Sequence, residues 1–152
     1  MKNLKVRLST PTVNNLELKE IKKIFNNSWL GYGPQVGKFE KAWCNFFNVK
    51  YSIGVNSCTA ALHLSLAVNK FKKNKKVLVP AMTFSASAAS VLYCGLKPIF
   101  VDVDPKTLVM SVEDLKKKYT KDCVAVIAVH FNGQPWEMEK IVPWAKKKNL
   151  KV

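Results

Sequence analysis

Three short segments bring together residue types that can do chemistry. The first is Val55-Asn56-Ser57-Cys58-Thr59-Ala60-Ala61-Leu62-His63. Small and hydroxyl residues stand where a strand gives way to a helix. Backbone N–H groups, the Ser57 and Thr59 hydroxyls and the helix dipole would converge there on an anion, although ordinary N-capping uses the same residues. The second is Val79-Pro80-Ala81-Met82-Thr83-Phe84. An aromatic at such a rim either stacks on a flat ligand or fills core. The third is Val129-His130-Phe131-Asn132-Gly133-Gln134-Pro135. A lone His after a buried strand is a satisfied structural residue or a proton carrier at the rim. Asp102 and Asp104 flank another strand end and suit a turn. No P-loop, dinucleotide fingerprint or HExxH motif occurs. Cysteines 44, 58, 94 and 123 form no C-x-x-C pair, so no metal site is expected. They read as small buried hydrophobes.

The elements that must position these segments follow from periodicity. Leu18, Ile21 and Phe25 recur at helical spacing and predict a helix over Asn15–Asn26, capped by Asn14 or Asn15. After a glycine-rich turn, Pro34 opens a second helix to Phe47, with Val36, Phe39, Trp43 and Phe46 on one face. From Tyr51 the period changes. Strands are expected at 51–56, 77–79, 98–102 and 123–130, and the start of another at 150–152. Helices are expected at 57–69, 83–93, from Ser111 to about Tyr119, and at 136–148 despite Pro143. Such alternation argues an α/β fold with a mostly parallel sheet and flanking helices. Ligands bind such sheets outside the carboxyl ends of the strands, where all three segments fall.

Composition sets the outer bounds. The chain has 152 residues and 48% hydrophobic residues, which suits one globular domain. No apolar run reaches the ~20 residues of a membrane span. The start, MKNLKVRLSTPTV, lacks the apolar core of a secretory signal. A cytoplasmic protein without a membrane partner is expected. Lys+Arg number 25 against 10 Asp+Glu, a net charge of +15. All but Arg7 of the basic residues are lysines, whereas sequence-reading proteins favour the planar fork of arginine. A solvated lysine face is therefore the simpler reading, and nucleic acid is not the expected partner.

In order, Trp29-Leu30…Gly33-Pro34…Phe39-Glu40, Asn56 to His63, Pro80 to Phe84, Gly95-Leu96-Lys97-Pro98-Ile99-Phe100-Val101-Asp102-Val103-Asp104, and Val129 to Pro135 are five motifs in one series. From about Ser9 to Val152 the chain resembles the N-terminal part of the DegT/DnrJ/StrS family of nucleotide-sugar aminotransferases. The resemblance implies the large domain of a fold-type-I enzyme that uses pyridoxal 5′-phosphate (PLP). It implies that the Ser57-Cys58-Thr59-Ala60 turn holds the cofactor phosphate through backbone amides and the Thr59 hydroxyl. Phe84 would stack on the pyridine ring. Cys58 stands where many members have Gly, a change that is tolerated if the local φ is negative. His130 and Asn132 would share the rim. The Trp29-to-Pro34 loop, with Tyr32, would lie near the active-site mouth or a dimer partner.

The implied reaction moves an amino group, usually from glutamate, to a keto-sugar carried on a nucleotide, in amino-sugar or cell-surface polysaccharide synthesis. The resemblance implies a homodimer. It divides the chain into an N-terminal helical segment with the mouth loop (1–50) and an incomplete cofactor-binding domain (51–152). The Schiff-base lysine, the acid at the pyridine nitrogen and the C-terminal small domain would fall after Val152. No lysine here stands in the matching motif. The expectation is a fragment that is inactive alone. Three alternatives stay open: part of a PLP-dependent sugar dehydratase, a non-catalytic binding or assembly module, and a polyanion binder.

Overall fold

The computed structural model describes residues 10–27 and 29–152. The Met1–Ser9 stretch, where the absence of a signal was read, lies outside them. The chain divides between Gly54 and Val55 into two units.

The first unit holds two helices. Helix α1 spans Asn15–Asn26 behind a complete capping box. Asn14 Oδ1 accepts from the Leu16 amide at 2.7 Å, and Glu17 Oε2 accepts from the Asn14 amide at 2.7 Å. Helix α2 spans Pro34–Phe47, with Pro34 in its first turn and Asn48 closing it at φ 50°. The Gly33 turn is tight, since a Cβ there would lie 2.7 Å from the Trp29 ring. Neither helix buries a residue. The apolar faces that the spacing marks are present but exposed, including Phe25, Phe39, Trp43 and Phe46.

The expected strand at 51–56 does not form. Tyr51, Ile53 and Val55 are all exposed. The polar groups of the segment are tied to α2 instead. Gly54 N–H donates to Glu40 Oε1 at 2.7 Å, and Ser52 Oγ donates to the Glu40 carbonyl. The Gly54 amide, bonded to a side chain, is not available for a ladder.

The second unit is an α/β sandwich of three layers. Strands β1 (Lys76–Pro80), β2 (Lys97–Val101) and β3 (Cys123–Val126) are parallel in the order β2-β1-β3. Successive side chains of β1 point to opposite faces. Val77 and Val79 join Leu66 of α3 (Cys58–Ala67) and Val91 of α4 (Ala86–Tyr93) in one core. Leu78 joins Leu115 of α5 (Val112–Lys118) and Ile141 of α6 (Met138–Lys147) in the other. Lys151 adds a parallel bridge beside Ala125, which extends the sheet past β3 where a further strand start is expected.

Several elements are shorter than the apolar runs suggest. Strand β3 stops at Val126 rather than His130. Ile127 N–H still donates to the Leu78 carbonyl at 2.9 Å, but the next bond would need an N–H from Pro80, which has none. Helix α4 starts at Ala86 rather than Thr83, because Ala81–Phe84 turn the chain back from β1. Helix α6 starts at Met138 rather than Trp136, because the Trp136 indole is committed to the core. Pro143 is accommodated inside that helix. Of the cysteines, Cys123 alone is buried; Cys44 and Cys94 are half-buried and Cys58 is exposed, at the start of α3 where the first turn faces solvent.

Candidate functional site

Parallel strands joined by returning helices place all strand ends and helix starts on one edge. The turn before α3, the loop after β1 and the loop after β3 therefore share the carboxyl edge of the sheet in the second unit.

Ser57 is the N-cap of α3 in extended conformation, and its Oγ accepts from the Ala60 amide at 3.2 Å. The Ala60 amide is thus engaged by the cap. The amides of Cys58 and Thr59 belong to the first turn, which has no acceptor within its own helix. Those two donors, the Thr59 hydroxyl and the positive end of a ten-residue helix form a donor set suited to a phosphate. Cys58 is helical and is not among the residues with positive φ, so its side chain causes no backbone strain. The neighbouring loops bring Asp102 and Asp104 to this edge.

Phe84 is 79% exposed, which overturns the reading that it fills core and leaves a ring face free. The segment around it is held from behind. Thr83 Oγ1 and Ser87 Oγ lie 2.8 Å apart, and the Ser87 amide donates to the Phe84 carbonyl at 3.0 Å. Ser87 and Ser90 are buried in the small-residue helix α4, which packs closely on α3. That packing fixes the starts of both helices, and so relates the phosphate donors to the aromatic ring.

His130 is exposed, and its Nδ1 accepts from the Trp136 amide at 3.0 Å. Asn132 sits in a 3-10 turn at φ 51° and is exposed. Asp104 Oδ1 accepts from the Lys106 and Thr107 amides at 2.8 and 3.0 Å. These bonds hold its carboxyl below its ordinary pKa and give it the turn role that its sequence position suggests. Asp102 Oδ1 accepts from the Val103 amide.

Tyr32 belongs to the first unit. Its hydroxyl donates to Glu40 Oε2 at 2.8 Å, which raises its pKa. The Gly54 amide and then the Tyr32 hydroxyl lower the pKa of Glu40. Trp29 Nε1 donates to the Tyr32 carbonyl at 3.0 Å. This loop and Ile24 line an open cavity of about 250 Å³. Glu40 was not singled out in the sequence as a site residue. It stands in the first of the five motifs, but its link to Gly54 crosses fourteen positions and no local spacing signals that bond. Among the described residues no His/Cys/Asp/Glu group is arranged to hold a metal.

Comparison with known proteins gives this geometry its context. A family model for DegT/DnrJ/EryC1/StrS aminotransferases matches residues 11–152. The spore coat polysaccharide biosynthesis protein SpsC of Bacillus subtilis is 35% identical over 144 residues, covering 95% of this chain and 37% of its own length. GDP-perosamine synthase of Escherichia coli O157:H7 is 36% identical over 143 residues, covering 93% and 39%. The solved structure of the E. coli GDP-4-keto-6-deoxy-D-mannose-3-dehydratase with bound hydrated PLP superposes with a TM-score of 0.87 at 27% identity, covering 94% of this chain and 38% of that one. The chain spans less than two fifths of the length of these relatives. The match runs through all five motifs, and the chain belongs to the DegT/DnrJ/EryC1/StrS aminotransferase family.

Proposed function

We propose that this chain forms the phosphate-binding and ring-stacking part of a PLP-dependent aminotransferase that acts on a keto-sugar carried by a nucleotide. The observation that carries the reading is the start of α3, with the Cys58 and Thr59 amides unengaged by the helix, on the same edge as the exposed ring of Phe84. The donor set fits the cofactor phosphate in charge, and the aromatic face fits a planar heterocycle. When bound, PLP supplies an electron-withdrawing ring that lets an amino group pass between a donor and an acceptor.

The roles of the residues follow from their positions. The Ser57 cap holds α3 in place so that its first amides face the anion. Thr59 adds a hydroxyl donor. Phe84 covers one ring face and keeps water from it. His130, with Nδ1 already accepting, presents Nε2–H as a donor toward the rim. Asn132 offers an exposed amide on the same loop, and Tyr32 lies on the mouth loop. Glutamate is the proposed amino donor.

We further place the complete activity in the cytoplasm and in a homodimer. The four cysteines are all unbridged, as a reducing compartment favours. The exposed aromatic stripe of α2 supplies apolar surface for self-association. A sugar 3-dehydratase is the second reading, favoured by the close superposition on such an enzyme. The mass of the product sugar separates the two, since one gains nitrogen and the other loses a hydroxyl.

Circular dichroism in the cofactor absorption band tests the site. PLP held against Phe84 acquires an induced signal that Phe84→Ala abolishes. Equal signals from both proteins, or none from either, would contradict the assignment.

A further inference from the structure

The second unit, Val55–Val152, contains sixteen lysines and seven acidic residues, and the fold sorts them. Strand starts and helix ends share the edge opposite the candidate site. Fourteen of the sixteen lysines lie there: five in Lys70–Lys76, Lys97, four in Lys116–Lys121 and four in Lys146–Lys151. Asp122 is the one acidic residue among those segments. The other six acids lie in the loops or first helical turns at the carboxyl edge. Among the described residues two of the fourteen lysines are paired with carboxylates, Lys75 with Asp122 at 2.9 Å and Lys118 with Asp114 at 2.7 Å.

Helix dipoles account for the lysines in the last turns of α5 and α6. They do not account for those in loops and at strand starts. Lys76 and Lys97 are direct partners across β1 and β2, where like charges oppose pairing. Folding alone gains nothing from that repulsion, whereas an anionic counter-surface relieves it.

We propose that this edge docks on the surface of an anionic lipid bilayer. The charges come from the helix layers on both faces of the sheet and from the strands between them. They therefore spread over a face roughly 20 Å deep rather than along one helix or ribbon that a nucleic-acid groove admits. Every one is a lysine, a compact point charge suited to delocalised attraction rather than to bidentate reading of base edges. Tyr93, 62% exposed, and the half-buried Tyr119 and Trp144 lie at or near the same edge. Such rings sit well at headgroup level. Lys148 Nζ lies 5.4 Å from the Tyr119 ring centre, which presents ring and charge together. No helix of the described residues is long and apolar enough to cross a membrane, so the contact is one of lying on the surface.

Flotation of the 152-residue chain with vesicles tests this. The chain floats with mixed phosphatidylglycerol–phosphatidylcholine vesicles at ~0.1 M salt, and stays behind with phosphatidylcholine alone or at ~1 M salt. The triple variant Lys72→Glu, Lys116→Glu, Lys147→Glu loses at least about tenfold in partitioning. The triple variant Lys19→Glu, Lys22→Glu, Lys41→Glu in the first unit has the same net charge and stays within about twofold of wild type. If far-ultraviolet circular dichroism shows the first triple unfolded, glutamines at the same positions replace it, with a loss of about fivefold expected. Absence of flotation with anionic vesicles overturns the proposal, as does equal loss by both triples. Stripping from vesicles by double-stranded DNA at equal phosphate concentration overturns it in favour of nucleic acid.

Discussion

The Trp136 amide donates to His130 Nδ1 at 3.0 Å, and this bond fixes what His130 presents at the carboxyl edge. With Nδ1 accepting, the neutral ring carries its proton on Nε2. Trp136 is itself anchored, because its indole N–H donates to the Met110 carbonyl at 2.6 Å in the core. The loop after β3 is thus pinned from both ends of one residue.

His130→Ala removes the acceptor from a partly buried amide. The expected loss is about 1 kcal/mol of stability, read by chemical denaturation. Affinity for a phosphate-bearing ligand at α3 stays within about twofold, because His130 is not assigned to the phosphate.

Trp136→Phe keeps most of the ring volume but leaves the Met110 carbonyl unpaired in a core where Trp136 is 2% exposed. A loss of about 1–3 kcal/mol is expected in the same measurement. It should exceed the loss from His130→Ala, since the indole bond is the more buried of the two.

Glu40 gives the first unit an acid-sensitive link. Its folded pKa lies below the ordinary value, first through the Gly54 amide and then through the Tyr32 hydroxyl. The sign follows from linkage: its contribution is complete above the ordinary carboxylate range and is lost as pH falls through the lowered folded value. Tyr32, whose pKa is raised by Glu40, loses the same bond at alkaline pH as it ionises. Proton NMR of the Gly54 amide should show a shift that moves only below the ordinary carboxylate range. Glu40→Gln should abolish that titration.

Ser57→Ala removes the cap of α3. About 1 kcal/mol of stability is expected to go with it. Amide exchange measures this locally, with faster exchange at Ala60, whose N–H the hydroxyl accepts, than at Leu64 deeper in the helix.

What could be read from the sequence was what short-range physics decides. Helices α1 and α2 carry their own ends, in the Asn14–Glu17 box and in Pro34. The apolar run Val77–Val79 could only be a buried strand. Ser57 and Ser111 are caps as their positions suggest. Long-range partners decided the rest. Tyr51, Ile53 and Val55 alternate as a strand does, yet the Gly54 amide within that run donates to Glu40 fourteen positions away. The run Cys123–His130 is apolar throughout, yet its ladder ends where Pro80 in a neighbouring strand has no hydrogen to give. Spacing alone favours core for Phe84, and the turn after β1 exposes it instead. The segregation of lysines to one edge was also hidden, since runs such as Lys72-Lys73 and Lys116-Lys117-Lys118 converge only once parallel strands are in place.

The most direct test of the central claim compares ligands that differ only in the phosphate and cannot react with any of the 24 lysines. Calorimetric titration with pyridoxine 5′-phosphate and with pyridoxine meets both needs, because neither carries an aldehyde. The phosphate ester is expected to bind at least about tenfold more tightly, and Thr59→Val to narrow the difference by roughly fivefold through the lost hydroxyl. Equal affinity for the two ligands, or a preference that Thr59→Val and Ser57→Ala both leave untouched, would contradict a phosphate site at the start of α3.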